Sequence, residues 1–355
     1  MSATRADRLA DSIRGGELDC VLITQMVNVR YLTGFTGTNG ACIITSDERL
    51  FFTDFRYVEQ AGEQVSGFDQ LTIGRDMAGD LSKRLQGRAG FEDAHLSVRQ
   101  RAKLADKTPD GVELVAAGDL VEDLRQVKDA GELERIAAAT ELATAAFERV
   151  LEQGLAGRTE RAVALELERQ MRESGAEGPS FPSIVAAGPH GALPHAEPRE
   201  VEIGAGELVV IDWGARLDGY CSDCTRTVAS GEINDEEREV YELVRRAQAA
   251  ALASVRAGVE CRVVDAEARQ MIEEAGHAER FGHGLGHGVG MEVHEGPRLS
   301  QRAEEDEVLE AGNVVSVEPG IYLPGRLGVR IEDLVAVTDD GADVFTTLPK
   351  ELVTV

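Results

Sequence analysis

The sequence predicts an α+β protein built in two parts, on three observations. Up to about residue 124, short apolar runs alternate with amphipathic helical patterns, as an α/β unit requires. From about Leu124 the chain turns to longer helical patterns rich in alanine, glutamate and leucine. Beyond that point the order helix–helix–strand–strand occurs twice without an obvious sequence repeat. The second part, residues 125–355, is therefore expected to be a pseudo-symmetric α+β domain.

In the first part, residues 20–24 (CVLIT) read as a buried strand. Residues 41–54 (ACIITSDERLFFTD) read as a hairpin turning at Ser46–Arg49, and LTIG, GFED and VELVAAG mark further strands. The stretch NVRYLTGFTG reads as a structural loop. In the second part, helices are expected over 129–153 and 159–174. SIVAAG, a loop GPHGALPHAEP and strand-like runs 207–215 and 219–229 follow. Helices come again at 235–257 and 262–275, then a glycine–histidine stretch and strand runs 313–323 and 327–338.

The bulk composition excludes several classes of function. At 355 residues and 43% hydrophobic, the chain can bury a sizeable core. No apolar run reaches membrane-spanning length, and the first 19 residues lack the apolar core of a signal peptide, so a cytoplasmic location is expected. The five cysteines are odd in number and scattered, which suits reduced thiols. A net charge of −27 and a pI near 4.7 make nucleic acid and anionic membrane poor partners. Lysine occurs only at 83, 103, 107, 128 and 350. So acidic and lysine-poor a surface suggests adaptation to high salt, where screening quiets self-repulsion; the alternative is an ordinary acidic surface.

The stretch Gly282–Glu295, GHGLGHGVGMEVHE, carries His283, His287 and His294. Its glycines, at every second position from 282 to 290, would each cost a helix about 1 kcal/mol against alanine. They point instead to a non-helical wall, with positive φ or close backbone approach, where imidazoles converge on a ligand. No register yields GxGxxG, which rules out a dinucleotide loop.

Two hairpins each present a pair of acids. In ELVVIDWGARLDGYCSDCTRTVA, Asp212 and Asp223 face each other if Leu217–Asp218 form the turn. They are diagonal neighbours if Asp218–Gly219 do. In either case they lie within roughly 5–8 Å at Cβ on one face. In the second hairpin, turning at Pro324-Gly325-Arg326, Glu318 and Glu332 are equidistant from Gly325 and face each other. Opposed like charges destabilise a sheet, and apolar strands add a desolvation cost. Either the pairs share protons or a cation neutralises them. Four carboxylates and an imidazole suit oxygen-preferring divalent ions such as Mn²⁺ or Co²⁺ and outnumber the needs of one ion, so two carboxylate-bridged metals are the expected solution. Cys221 and Cys224 form a CxxC whose strand alternation sends the thiols to opposite faces, and His294-Glu295 opens no HExxH.

These residues resemble the pita-bread metallopeptidases, specifically the Xaa-Pro branch of prolidase and aminopeptidase P. The run from His283 to Glu295 is similar to that branch's signature. NVRYLTGFTG and TDFRYVEQA resemble the creatinase-type N-terminal domain, so the likeness spans nearly the whole chain. It implies a creatinase-type domain over 1–124 and a pita-bread catalytic domain over 125–355. Carried over residue by residue, the metal ligands fall on Asp212, Asp223, His287, Glu318 and Glu332. Asp223 and Glu332 would bridge the ions, Asp212 would complete one shell, and His287 with Glu318 the other. Creatinase shares the fold without this metal set.

The resemblance further implies two divalent ions per chain, Mn²⁺ first, with Co²⁺ or Zn²⁺ as alternatives. A hydroxide shared by both ions would attack the carbonyl before proline. Glu318 would accept the proton, His294 would donate to the oxyanion, and His195 and His283 would hold the proline end. Arg330 matches an arginine that steadies the site and, with His195 and His283, is expected to hold a substrate carboxylate; Tyr322 matches an outer tyrosine, and Arg298 is a further candidate for that carboxylate. The partners expected are proline-containing di- or oligopeptides and a second copy of the chain in a homodimer. The alternatives are a non-peptide hydrolase or lyase of the same fold acting on a compatible solute, and a binding protein that has lost catalysis; the intact ligand set argues against the latter.

Overall fold

A computed structural model of the chain describes residues 4–355. It contains two compact units, Met1–Arg125 and Gln126–Val355. The first is an α/β unit with strands β1 (Cys20–Ile23), β2 (Gly40–Thr45), β3 (Arg49–Thr53), β4 (Asp69–Thr72), β5 (Arg88–Phe91) and β6 (Glu113–Ala116). Its helices are α1 (Arg5–Gly15), α2 (Met26–Thr33), α3 (Val58–Gln64), α4 (Met77–Ser82), α5 (Val98–Ala105) and α6 (Leu120–Gln126). The sheet runs β4-β3-β2-β1-β5-β6, with β1, β5 and β6 parallel and β2 antiparallel to both its neighbours. The expected strand at 20–24 and hairpin around 46–49 are present.

The loop expected over NVRYLTGFTG is instead mostly helix: α2 occupies Met26–Thr33 and ends on Gly34, whose φ of 77° closes it. An eight-residue helix with two valines, an asparagine and no side-chain N-cap has little intrinsic stability. Tertiary contacts supply it. Buried Asn28 donates to Glu92 and Glu122, both at 2.7 Å, and accepts from Arg125 at 2.8 Å.

In the second unit, α7 (Ala130–Leu151) and α8 (Glu160–Glu173) precede β7 (Gly178–Pro179), β8 (Ile184–Ala187), β9 (Leu208–Trp213), β10 (Ala215–Leu217), β11 (Tyr220–Cys221) and β12 (Cys224–Ala229). The order then recurs as α9 (Asp235–Ser254) and α10 (Cys261–Glu274). After these come β13 (Gly286–Gly288), β14 (Glu295–Leu299), β15 (Val314–Val317), β16 (Gly320–Leu323), β17 (Leu327–Arg330), β18 (Asp333–Val337) and β19 (Ala342–Val344). Each half opens on a capping box, Asp129 with Glu132 for α7 and Asn234 with Glu237 for α9. The sheet β8-β9-β12 of the first half matches β13-β15-β18 of the second, so the pseudo-symmetric order is realised. Among the described residues, no helix is long and apolar enough to cross a membrane.

Strand alternation sorts the two faces. Val209, Ile211 and Trp213 of β9 enter the core made by α7 and α8, where Trp213 stacks on Phe147 at 4.0 Å and donates to the Ala143 carbonyl. Val315, Val317, Val335 and Val337 enter the core made by α9 and α10. Period two therefore puts Asp212, Thr225, Ser316 and Glu332 on the faces turned from the helices. All five cysteines are buried and free.

Two of the five lysines are taken up by acids inside the fold. Lys128 is buried against Glu295 at 2.8 Å, and Lys350 pairs with buried Asp333 at 2.5 Å. Screening should therefore stabilise the fold. Between dilute buffer and about 1 M KCl the melting temperature is expected to rise by about 5 °C or more. A melting point that stays flat or falls with KCl would assign the acidity of this chain to something other than salt adaptation.

Candidate metal centre

The first hairpin turns on Asp218 and Gly219, with φ of 50° and 86°, the type I′ geometry that Asp-Gly favours. Pairing Leu217 with Tyr220 and Trp213 with Cys224 makes Asp212 face Thr225, so Asp223 is its diagonal neighbour. The second hairpin pairs Leu323 with Leu327 and Val317 with Asp333, a register that sets Glu318 opposite Glu332, as the sequence implies. One feature was not legible: each strand run breaks beside its acid, at Gly214, at Ser222–Asp223, at Glu318–Pro319 and at Ile331–Glu332. The breaks let the two hairpins cross-link, with the Glu332 N–H donating to the Thr225 carbonyl at 3.1 Å and Thr225 Oγ1 to Glu332 Oε2 at 2.9 Å.

Carboxylate oxygens of Asp212, Asp223 and Glu332 converge to within 4.8 Å of one another. Beside them His287 Nε2 lies 3.3 Å from Glu318 Oε1 and 3.6 Å from Asp223 Oδ2. His287 is set by β13: its backbone N–H donates to Ser316 Oγ at 3.0 Å, and its Nδ1 lies 3.1 Å from the Gly288 carbonyl. A carbonyl only accepts, so Nδ1 carries a proton; Nε2 faces the acids, where burial opposes its charge but the hydrogen bond to Glu318 raises its pKa, and a cation bound there would take the place of the Nε2 proton. The glycines around it serve close approach. A Cβ on Gly286 would lie 1.9 Å from the Ser316 carbonyl oxygen and one on Gly288 2.0 Å from that of Gly296.

The electrostatics call for positive charge. Burial raises the carboxyls of Asp212, Asp223 and Glu332, and neighbouring acids push the last two well above the usual range. Glu318 differs: burial pushes it up, but its hydrogen bond to His287 and that ring's charge bring it down to about 2. Two oxygens of the cluster, Asp212 Oδ1 and Glu332 Oε1, are buried and accept no hydrogen bond. Orphaned oxygens, crowded acids and an inward imidazole nitrogen fit divalent cations.

Arg330, buried on β17, donates to Asp212 Oδ2 at 2.6 Å, to Tyr322 Oη at 2.8 Å, to Thr225 Oγ1 at 3.0 Å and to the Pro194 carbonyl at 3.2 Å. His283 is tied at both ring nitrogens, Nδ1 to the Gly284 carbonyl at 2.7 Å and Nε2 to Tyr322 Oη at 2.9 Å. His294 lies in a bend before β14 and not on the strand-like run its neighbours suggested; its exposed ring meets that of His287 edge-on at 4.3 Å. Arg298 is exposed on β14 directly opposite His287, and its charge is felt at His294. His195 is exposed just after Pro194 and is likewise felt at His294.

Sequence reasoning missed Thr225, Ser316 and the Asp265–Arg269 pair. The first two sit two residues from Asp223 and Glu318, on the same strand faces, so period two could have found them. Asp265 and Arg269 look like a solvated i,i+4 pair. In the structure buried Asp265 accepts from the Leu285 N–H at 3.0 Å, and Arg269 donates to the Phe281 and His283 carbonyls at 2.9 and 2.8 Å. They hold the histidine loop.

A creatinase-like α/β unit ahead of a pseudo-symmetric unit with an acid-lined, cation-demanding centre defines a two-domain metallopeptidase. Residues 134–339 match metallopeptidase family M24, and residues 5–127 match the creatinase/prolidase N-terminal domain. The chain belongs to the M24 metallopeptidases, which are hydrolases that use divalent metal ions. It is 37% identical to a Xaa-Pro dipeptidase of Pyrococcus furiosus over 98% of this chain and 99% of that one. Among solved structures it is similar to a Xaa-Pro dipeptidase from Bacillus anthracis (TM-score 0.94, 40% identity, 99% of each chain). It is also similar to an X-Pro aminopeptidase from Thermotoga maritima (TM-score 0.91, 37% identity, 99% of this chain and 100% of that one).

Proposed function

We propose that the chain hydrolyses the peptide bond before proline, with residues 1–124 as the creatinase-type domain and 125–355 as the catalytic domain. The observation that carries this reading is the convergence of Asp212, Asp223 and Glu332 beside the His287–Glu318 pair. Asp212, Asp223 and Glu332 would hold one divalent ion, and His287, Glu318 and the two bridging acids Asp223 and Glu332 a second; Mn²⁺ is the first candidate. The ions would supply Lewis acidity and a water deprotonated at neutral pH.

The chain's own residues do the rest. Glu318, ionised beside His287, takes the proton and returns it to the leaving proline nitrogen. His294, whose exposed ring rests on His287, donates to the carbonyl oxygen as negative charge develops there. His195 and Arg298, exposed around the same ring, receive the proline end and its carboxylate. Arg330 and His283 spend their donors on Asp212, Tyr322, Thr225 and backbone carbonyls; we assign them to holding Asp212 and Tyr322 in place. Proline offers no amide N–H, so the site must read the ring.

His294→Ala is expected to keep both ions and lose about 10²-fold in kcat, with KM less affected, as for a contact strongest in the transition state. Metal analysis beside steady-state kinetics checks this, and loss of an ion would make His294 a ligand. A cation such as Arg298 facing the centre also favours a substrate ending in proline's own carboxylate. Ala-Pro is therefore expected to exceed Ala-Pro-Ala in kcat/KM by about tenfold, the worth of one ion pair of about 1.4 kcal/mol. A clear preference for the longer peptide would make the chain an aminopeptidase P with the same metal chemistry. A chelated protein reloaded with Mn²⁺ or Co²⁺ that hydrolyses neither peptide would favour a compatible-solute substrate.

A further inference from the structure

We infer that Glu160 is a positioning residue for His195, its carboxylate tying together the two ends of the loop that bears that histidine; this rests on the substrate role proposed above for His195. Glu160 is the first residue of α8, behind the N-cap Thr159, and is 1% exposed. An acid at a helix start is ordinarily a solvated partner of the helix dipole. This one is turned inward onto residues 187–199. Its Oε1 accepts from the Ala187 N–H at 3.0 Å and from Arg199 Nη2 at 3.1 Å. Its Oε2 accepts from the Arg199 N–H and Nε, both at 3.0 Å, and lies 2.9 Å from His190 Nδ1.

Ala187 and Arg199 are the two ends of that loop, His190 lies between them, and His195 sits towards its exposed tip. The tip is tied separately: the carbonyl of Pro194, adjacent to His195, accepts from Arg330 Nη1 at 3.2 Å. Gly191 packs so tightly on β17 that a Cβ on Gly328 would lie 1.7 Å from its carbonyl oxygen. A loop fixed at its neck by Glu160 and at its tip by Arg330 has one path left for the residue between. Backbone bonds from Glu160 N–H to the Val201 carbonyl (3.1 Å) and from Arg161 N–H to that of Arg199 (3.0 Å) anchor the C-terminal end of the loop to α8 without the carboxylate. The side chain governs the interior of the loop, and its loss should spare the fold.

The test uses the full chain loaded with Mn²⁺ and Ala-Pro as substrate. Glu160→Gln is expected to lower kcat/KM about tenfold, mostly through KM, with two ions retained and amides of residues 187–196 exchanging at least tenfold faster. In a His195→Ala background the same change should cost less than twofold, because the residue it positions is gone. Arg199→Met, which leaves the carboxylate and alters a half-exposed side chain, should shift KM about threefold in the same direction. Wild-type kinetics, unchanged exchange, loss of an ion, or multiplicative losses in the double variant would overturn the inference. Wild-type activity in His195→Ala alone would instead overturn the substrate role of His195, and so separates the two failures.

Discussion

Asp223→Asn should abolish activity while leaving the metal-free fold at least as stable as before. Asp223 is buried, its carboxyl raised by burial and then by Glu332 and Asp212. As an amide it brings no charge to the cluster, so the metal-free variant is relieved of repulsion. The same change removes an oxygen shared by both proposed ion sites. We expect at least one ion lost per chain and kcat/KM down by three decades or more, about 4 kcal/mol of transition-state stabilisation. Metal analysis, Ala-Pro kinetics and paired melts with and without chelator check the three parts. Retention of two ions with near-normal rates would remove Asp223 from the centre. A chelated variant that melts well below chelated wild type would show that Asp223 stabilises the fold by other means.

Arg226→Met should be the most destabilising single change behind the centre. Arg226 is buried on the helix side of β12, where it pairs with Asp333 at 2.9 Å. It also donates to the carbonyls of Glu332, Thr225 (3.0 Å), Leu348 (2.9 Å) and Pro349 (3.1 Å). It thus clasps the backbone of a proposed metal ligand and the C-terminal segment together. Methionine fills the volume and leaves Asp333 with Gln248 and Lys350. Stripping one partner from a buried ion pair costs about 3–5 kcal/mol. Denaturant unfolding measures this. Asp333→Asn added to Arg226→Met should recover part of the loss, because the stranded charge disappears with it. A variant within about 1 kcal/mol of wild type would mean that Lys350 alone neutralises Asp333.

Much of the site was legible because strands obey period two and hairpins have countable turns. Turn chemistry at Asp218–Gly219 left two registers for Asp212 and Asp223, both on one face, and the Pro-Gly-Arg turn left one for Glu318 and Glu332. The glycines around His287 announced close approach, and close approach is what Gly286 and Gly288 provide. The functional fate of Arg330 and His283 was less legible. Both were expected on the substrate side; in the structure Arg330 also bonds Asp212, Thr225 and the Pro194 carbonyl, each more than 100 residues away, and His283 bonds Tyr322. The α2 helix was misread for a similar reason: its stability comes from Asn28 reaching Glu92, Glu122 and Arg125, not from its own residues.

The sequence by itself determined the α+β class, the doubled helix–helix–strand–strand order, the acid pairs and the family. These rest on local periodicity, turn residues and residue type, which a chain carries whatever its surroundings. Only the tertiary structure decided that the strands break beside their acids so that two hairpins can meet, that Thr225 and Arg330 tie them together, and that Glu160 closes the loop of His195. Each of these depends on which distant residue supplies the missing donor to a buried acceptor. Burial makes that partner valuable, because an unmet carboxylate or carbonyl costs about 1–3 kcal/mol of a margin of about 5–15 kcal/mol. A sequence shows the acceptor; the packing of the whole chain chooses the donor.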